Sequence, residues 1–310
     1  MKKAQRGAAL LIAMLILTLM ATVASAMVWH QQRAVEVEAG ERARVQAALM
    51  LAGALDFVRL QLVGPSRNAF PPPGWVSKLP ESSVSALLAA DRDNNADSGI
   101  EAFVSGEIAD AQSRYNLRRL VGDDGKVVDS EVAAFRRLCE AAGAPADAAT
   151  QLAASLASAW YGRADEAPLP PTRVEQLAWL GLDREVLALL APHVTLLPTR
   201  TPVNANTAGP AALLAAIDGL DLANAQRLAQ TLARTPAADL TALRALLPTG
   251  VATEDARVGV STRHFDVIGR LRVGDRVLEE SWLIERRGGD RGTEMALLRR
   301  ERRSAHDAGS

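Results

Sequence analysis

The sequence predicts an α+β protein in which one long N-terminal helix, apolar first and amphipathic afterwards, packs on a small antiparallel sheet, with a large all-helical domain inserted between the strands. Three observations predict this. The uncharged run from Ala8 to Val28 passes without a break into proline-free, helix-compatible sequence as far as Leu62. Apolar and polar residues alternate at 100–108 and again across 257–287. Between them, from Asp129 to about Pro248, Ala and Leu dominate and turn residues fall at intervals.

The first element is long enough to cross a membrane, because a helix spanning ~30 Å of hydrocarbon needs about 20 apolar residues. Lys2, Lys3 and Arg6 precede it and the first acidic residue is Glu36, so the positive-inside bias keeps the amino terminus cytoplasmic and sends the rest outward. A cleavable signal peptide ending at Ala24-Ser25-Ala26 shares this layout. Against it, the charge abuts the apolar run as Arg6-Gly7, and helical sequence continues past Ala26. Val45, Leu49, Ala52, Leu55, Val58 and Leu62 recur at helical intervals and form the expected buried stripe, with Gly40 and Gly53 as weak points. Gly64-Pro65 ends the helix.

A proline-rich loop follows to Pro80, then a short helix-like stretch at Ser83–Ala90 and a candidate strand at Ile100–Ile108. The helical region has turns at Gly143-Ala-Pro145, 167–171, 198–202 and Thr235-Pro236. Asn206 or Thr207 can cap the helix that Pro210 opens, proline being tolerated in the first turn because that N–H has no partner anyway. Two alternating strands, Arg257–Arg272 and Arg276–Arg287, meet at Gly274-Asp275 as a hairpin. One strand before the helices and two after them place the helical domain as an insertion. The tail from Gly288 to Ser310 holds five arginines (Arg291, Arg299, Arg300, Arg302 and Arg303) and is expected to fray.

Basic residues ending in Arg6-Gly7, followed by an apolar helix that turns amphipathic, resemble the class III signal of type IV pilins and type II secretion pseudopilins. The resemblance implies cleavage by a prepilin peptidase between Gly7 and Ala8, N-methylation of Ala8 and a pseudopilin fold. Most of that family carries Glu at the fifth mature position, where this chain has Ile12. The K-type minor subunits, the GspK family, are the ones that typically lack this Glu and are also the largest. Two further segments are similar to that family: Asp110-Ala-Gln-Ser-Arg-Tyr-Asn-Leu117 and Leu196-Leu-Pro-Thr-Arg-Thr-Pro-Val-Asn-Ala-Asn-Thr-Ala208. The resemblance implies a minor pseudopilin that caps or helps initiate the periplasmic pseudopilus, resides in the inner membrane with its bulk in the periplasm, and has the I- and J-type minor pseudopilins and the prepilin peptidase as partners. Expected boundaries are a leader over 1–7, a transmembrane helix over 8–28, its amphipathic half over 29–64, the first part of the pseudopilin α/β domain over 65–118, the inserted helical domain over 119–250, closing strands over 251–287 and a disordered basic tail over 288–310.

Composition narrows the alternatives. With 48% hydrophobic and 23% charged residues the chain supports real cores. A net charge of −1 argues against a nucleic-acid partner. Val203–Leu228 nevertheless resembles the start of a helix-hairpin-helix repeat of membrane-anchored DNA-uptake proteins. The corresponding turn, Ile217-Asp-Gly-Leu-Asp221, has one glycine where such repeats have two, and two carboxylates where a phosphate would sit, with Arg227 and Arg234 the nearby cations.

Asp91-Arg-Asp-Asn-Asn-Ala-Asp-Ser-Gly99 spaces oxygen ligands like a calcium loop, but Ala96 and Ala102 stand where the sharp turn and the bidentate Glu belong. By family resemblance a calcium loop would fall at Trp160-Tyr-Gly-Arg-Ala-Asp165-Glu166, here stripped of most carboxylates. No cofactor is therefore expected; calcium stays open by resemblance alone, with Asp165, Glu166, Asp91, Asp93 and Asp97 as candidate ligands. His30, His193, His264 and His306 have no metal spacing and no catalytic motif is present, so no enzyme is expected. The single Cys139 reads as a buried small hydrophobe.

Overall fold

The computed structural model describes residues 4–63, 78–83, 102–162, 167–274, 276–289 and 292–306. The chain divides into two units, 1–57 and 58–310. The described residues of the first, from Ala4 on, are the larger part of helix α1 (Ala4–Val63), which at 1.5 Å per residue is about 90 Å long. It passes through Gly40 and Gly53, and through Ala24-Ser25-Ala26, without a break. From Leu10 to Trp29 its large apolar side chains are 45–69% exposed. The hydroxyls of Thr18 and Thr22 donate back to the carbonyls of Leu15 and Leu19 at 2.9 and 2.8 Å, so the run presents no unsatisfied side-chain donor there. Beyond Trp29 charged pairs appear, Arg42 with Glu38 and Arg44 with Glu41, at helical spacing.

The buried stripe of α1 is Ala47, Leu51, Leu55, Val58 and Leu62, which corrects the expected one. Leu55, Val58 and Leu62 belong to it as expected, but Val45 and Leu49 are exposed. Steps of four from Leu55 lead back to Leu51 and Ala47, whereas 52, 49 and 45 drift round to another face of a 3.6-residue helix.

In the second unit a five-stranded sheet has the order β1-β2-β9-β10-β11, formed by β1 (Lys78–Ser83), β2 (Ala102–Asp110), β9 (His264–Val273), β10 (Arg276–Gly289) and β11 (Gly292–His306). All four pairings are antiparallel. Residues 111–263 are inserted between neighbouring strands: the chain leaves at Asp110 and returns opposite it, at Phe265. Val273 pairs with Arg276 across the expected two-residue hairpin, where Gly274 has φ +55°, a value glycine reaches at no steric cost.

Two features of the sheet overturn expectations. β1 falls in the proline-rich stretch read as loop. It is an edge strand whose pairing shifts register between Leu79 and Ser82, around Pro80, and an edge tolerates the missing N–H. Of the tail expected to be disordered over 288–310, residues 288–289 end β10 and residues 292–306 form β11. Three of its arginines have partners: Arg300 and Arg302 both clasp the fully buried Glu280, and Arg299 donates to the Thr172 carbonyl at 2.7 Å; Glu301 beside them meets Arg173 at 2.9 Å. Cross-strand charge pairs turned a basic run into a strand.

The insertion contains α2 (Asp129–Ala141), α3 (Asp147–Tyr161), α4 (Arg184–Leu190), α5 (Pro210–Ala216), α6 (Leu222–Arg234) and α7 (Leu240–Ala245). It is not purely helical. Two-residue strands β3 (Tyr115–Asn116) with β4 (Val194–Thr195), β5 (Val203–Asn204) with β8 (Val258–Gly259), and β6 (Ile217–Asp218) with β7 (Ala252–Thr253) stitch its loops. One apolar cluster runs from Tyr115 to Val258. Helix α2 supplies Val132, Phe135, Leu138 and Cys139 at helical spacing, and α5 is buried from Ala211 to Ala216. The strand expected from Arg257 starts only at His264, because Arg257 turns into the interior of this domain.

Candidate functional site

The two segments singled out in the sequence, 110–117 and 196–208, meet at the neck where the insertion leaves and rejoins the sheet. Asp110, 2% exposed, ends β2. Its Oδ1 accepts the Gln112 N–H at 2.7 Å, and its Oδ2 accepts from Asn204 Nδ2 at 2.7 Å and Thr207 Oγ1 at 2.5 Å. Burial raises the Asp110 pKa, against the pull of these hydrogen bonds. Gln112 donates to the Pro202 carbonyl at 3.0 Å, while its Oε1 accepts from Thr262 Oγ1, the Arg263 N–H and His264 Nδ1. With Nδ1 as donor, burial holds the His264 ring neutral.

Asn116 repeats the pattern one turn on. It donates to the Thr199 carbonyl at 2.7 Å and to Thr201 Oγ1 at 3.0 Å, and accepts the N–H groups of Arg118 and Leu197. Side-chain amides thus satisfy backbone groups that no regular element could, which buried irregular chain requires. The arrangement locks the domain's entry and exit strands together.

Beside it lies a buried ionic cluster. Glu131 on α2 is 3% exposed, and its carboxylate accepts from Arg119 at 2.6 and 3.1 Å, from Tyr115 Oη at 2.7 Å and from Arg257 at 3.3 Å. Burial opposes its ionisation, but the Arg119 hydrogen bonds and charge, the Tyr115 hydroxyl and Arg257 outweigh it and hold the carboxyl below its ordinary value. Burial, then the Glu131 charge, pushes the Tyr115 hydroxyl well up, so it remains a donor. Arg257 continues to Asp218 at 2.8 Å. Sequence reasoning missed this cluster, because Ser130 before Glu131 and Arg118 before Arg119 give both residues the look of surface positions.

Other expected residues fall as follows. Gly7 and Ala8 lie within α1, and Ile12 is 59% exposed. Asp91, Asp93, Asp97, Asp165 and Glu166 lie outside the described residues; among the described residues no cluster of metal-ligating groups occurs. Neither Asn206 nor Thr207 caps α5. The cap is Gly209, with Pro210 in the first turn, because Asn206 is committed to Ala237 and Val260 and Thr207 to Asp110. Burial pushes the Cys139 thiol up to about 12, which makes it inert.

In the turn compared with a DNA-binding hairpin, Asp218 pairs with Arg257 and Arg137. Asp221 caps α6 by accepting the Asn224 N–H at 2.8 Å, so a carboxylate already sits where a phosphate would bind.

A long helix, apolar first and amphipathic afterwards, an antiparallel sheet and a helical insertion locked at its neck make up the α+β architecture that the sequence predicts. The comparisons agree. Residues 113–199, which begin in one of the two neck segments and end in the other, match the family described as Type II secretion system (T2SS), protein K. The fold is similar to that of a chain in the crystal structure of the GspK-GspI-GspJ complex from enterotoxigenic Escherichia coli Type 2 Secretion System. The TM-score is 0.60 at 18% identity, over 86% of this chain and 99% of that one. Curated protein sequences give no match. Over 113–199 the sequence is thus similar to that of protein K of type II secretion, and over most of the chain the fold is similar to that of the solved chain.

Proposed function

We propose that the chain is a non-enzymatic subunit at the tip of a periplasmic pseudopilus, which it caps or helps initiate in support of secretion across the outer membrane. The observation that carries this reading is the first half of α1, a helix with large apolar side chains 45–69% exposed from Leu10 to Trp29. Such a surface needs lipid before assembly and neighbouring helices after it. Among the described residues this is one helix long and apolar enough to cross a membrane. The positive-inside rule puts its amino terminus in the cytoplasm and the second unit in the periplasm, and Trp29, with Arg33 stacked over it at 5.4 Å, suits the interface.

Processing between Gly7 and Ala8 would release the leader and leave Ile12 at the fifth position. A subunit with Ile there brings no carboxylate to offset the terminal amine of a neighbour, and charge unpaired in hydrocarbon costs several kcal/mol. That favours a terminal place. The bulk of the insertion, residues 111–263 between β2 and β9, favours it too, since a domain of that size is sterically unsuited to having another subunit stacked on it.

The solved relative was crystallised as a GspK-GspI-GspJ complex, and for this chain the I- and J-type minor pseudopilins are the partners proposed, with the prepilin peptidase as processing enzyme. Co-expression of the three chains followed by affinity purification from membranes tests it. Recovery of a stoichiometric ternary complex is expected. A chain that purifies alone while its exported part shifts duplex DNA in a salt-sensitive manner would overturn it.

A further inference from the structure

A cleft of about 300 Å³ adjoins the neck, lined by Arg118, Trp160, Tyr161, Pro171, Leu196, Leu197 and Pro198. Its volume lies at the lower end of the range of ligand clefts, about 300–1,000 Å³. The floor is rigid. Leu196 and Leu197 are buried and the Leu197 N–H is held by Asn116, whose Oδ1 also holds the Arg118 N–H.

The Arg118 guanidinium lies 4.4 Å over the Trp160 ring and 5.4 Å over Tyr161, and one Nη2 donates to Tyr161 Oη at 2.9 Å. It meets no carboxylate among the described residues, whereas the neighbouring Arg114 and Arg119 are both paired with acids. Stacking engages the face of the guanidinium and leaves donors on its edge. An arginine has five N–H groups in a fork that matches a carboxylate, and here one is used by a neutral hydroxyl. Around this cation, two aromatic rings and two prolines offer flat apolar walls of the kind that receive extended or proline-containing chain.

We infer that this cleft binds an acidic, extended segment of a protein partner, with an Asp or Glu carboxylate on Arg118 and the adjoining apolar or proline residue between Trp160 and Pro198. The edge of one guanidinium presents paired N–H groups that match a single carboxylate bidentately. The inference does not depend on the tip position proposed above, since the cleft lies wholly within the inserted domain.

The test uses the full chain in detergent and a fluorescein-labelled acetyl-Gly-Leu-Pro-Glu-Pro-Gly-amide peptide, followed by anisotropy, beside the same peptide with Gln for Glu. The Glu peptide is expected to bind at least about tenfold tighter than the Gln peptide, to lose about tenfold with Arg118→Gln, and to weaken in roughly 0.5 M salt. Tyr161→Phe, which keeps the stack, is expected to change binding by no more than about twofold. Thermal midpoints report whether each variant is folded; should Arg118→Gln fail to fold, the Glu-versus-Gln contrast on the unaltered chain decides. Equal binding of the two peptides, no binding at millimolar concentration, or full affinity in folded Arg118→Gln overturns the inference.

Discussion

The apolar half of α1 and helix α5 are both written largely in alanine and leucine, yet their surroundings are opposite. In α5 every residue from Ala211 to Ala216 is buried, Leu213 completely. Between Leu10 and Val28 the large apolar side chains stand open. The difference lies in length and context. Seven residues can only complete a protein interior, and α5 is fixed there by Arg137, which donates to the Leu214 carbonyl at 2.9 Å. Twenty-one uncharged residues exceed any need of a small core and match a bilayer instead. Apolarity says that water must be left behind; only length and flanking charge say for which other medium.

That contrast can be broken by mutation. The largest effect is expected inside the inserted domain, where Glu131→Ala leaves the buried Arg119 without its carboxylate and removes one of the carboxylates around Arg257, which costs about 3–5 kcal/mol, read as a collapse of the urea midpoint of the detergent-solubilised chain. The same group gives a pH signature. Its carboxyl is held below the ordinary 4.5, so its contribution is complete above that value and is lost as pH falls below it toward the folded-state value. Acid unfolding is therefore expected to be less steep in Glu131→Gln, already weaker at neutral pH, than in the unaltered chain.

Next in size, Leu213→Ala should lower stability by about 2–5 kcal/mol by leaving a cavity. Leu17→Ala, nominally the same substitution, should leave the urea midpoint within about 0.5 kcal/mol, because Leu17 is 68% exposed within the protein. Leu17→Arg reverses the roles: it should spare the urea midpoint and cost about 3 kcal/mol of membrane insertion, seen as a shift of the chain from the membrane to the soluble fraction. Smallest of all, Cys139 should resist iodoacetamide at neutral pH until the domain unfolds, since it is fully buried and its thiol is pushed up to about 12.

What could be read in the sequence followed periodicity. The continuous helix, β2, β9 and β10, the hairpin at Gly274 and the insertion of a mostly helical domain all leave local patterns. β11 did not, because arginines paired across strands look the same in sequence as arginines in a solvated tail; only the position of Glu280 on β10 distinguishes them. β1 was hidden by Pro80, whose edge position is a tertiary fact.

At the neck, the segments 110–117 and 196–208 were visible as motifs while their meeting was not. Asp110 and Asn204 are 94 residues apart in the chain, and nothing local indicates that one accepts from the other. The same blindness led to Asn206 and Thr207 being read as caps: their local capping chemistry is sound, but each has a stronger distant partner.

The account rests on α1 being a retained assembly helix, so the state of its amino terminus is the measurement that tests it most directly. Intact mass and N-terminal sequencing of the protein purified from membranes should show a chain beginning at N-methyl-Ala8, with everything from Ile12 through Leu62 kept on one helix. A chain beginning at Met27 would mean that everything up to Ala26 is a discarded signal peptide, and would contradict the pseudopilus function.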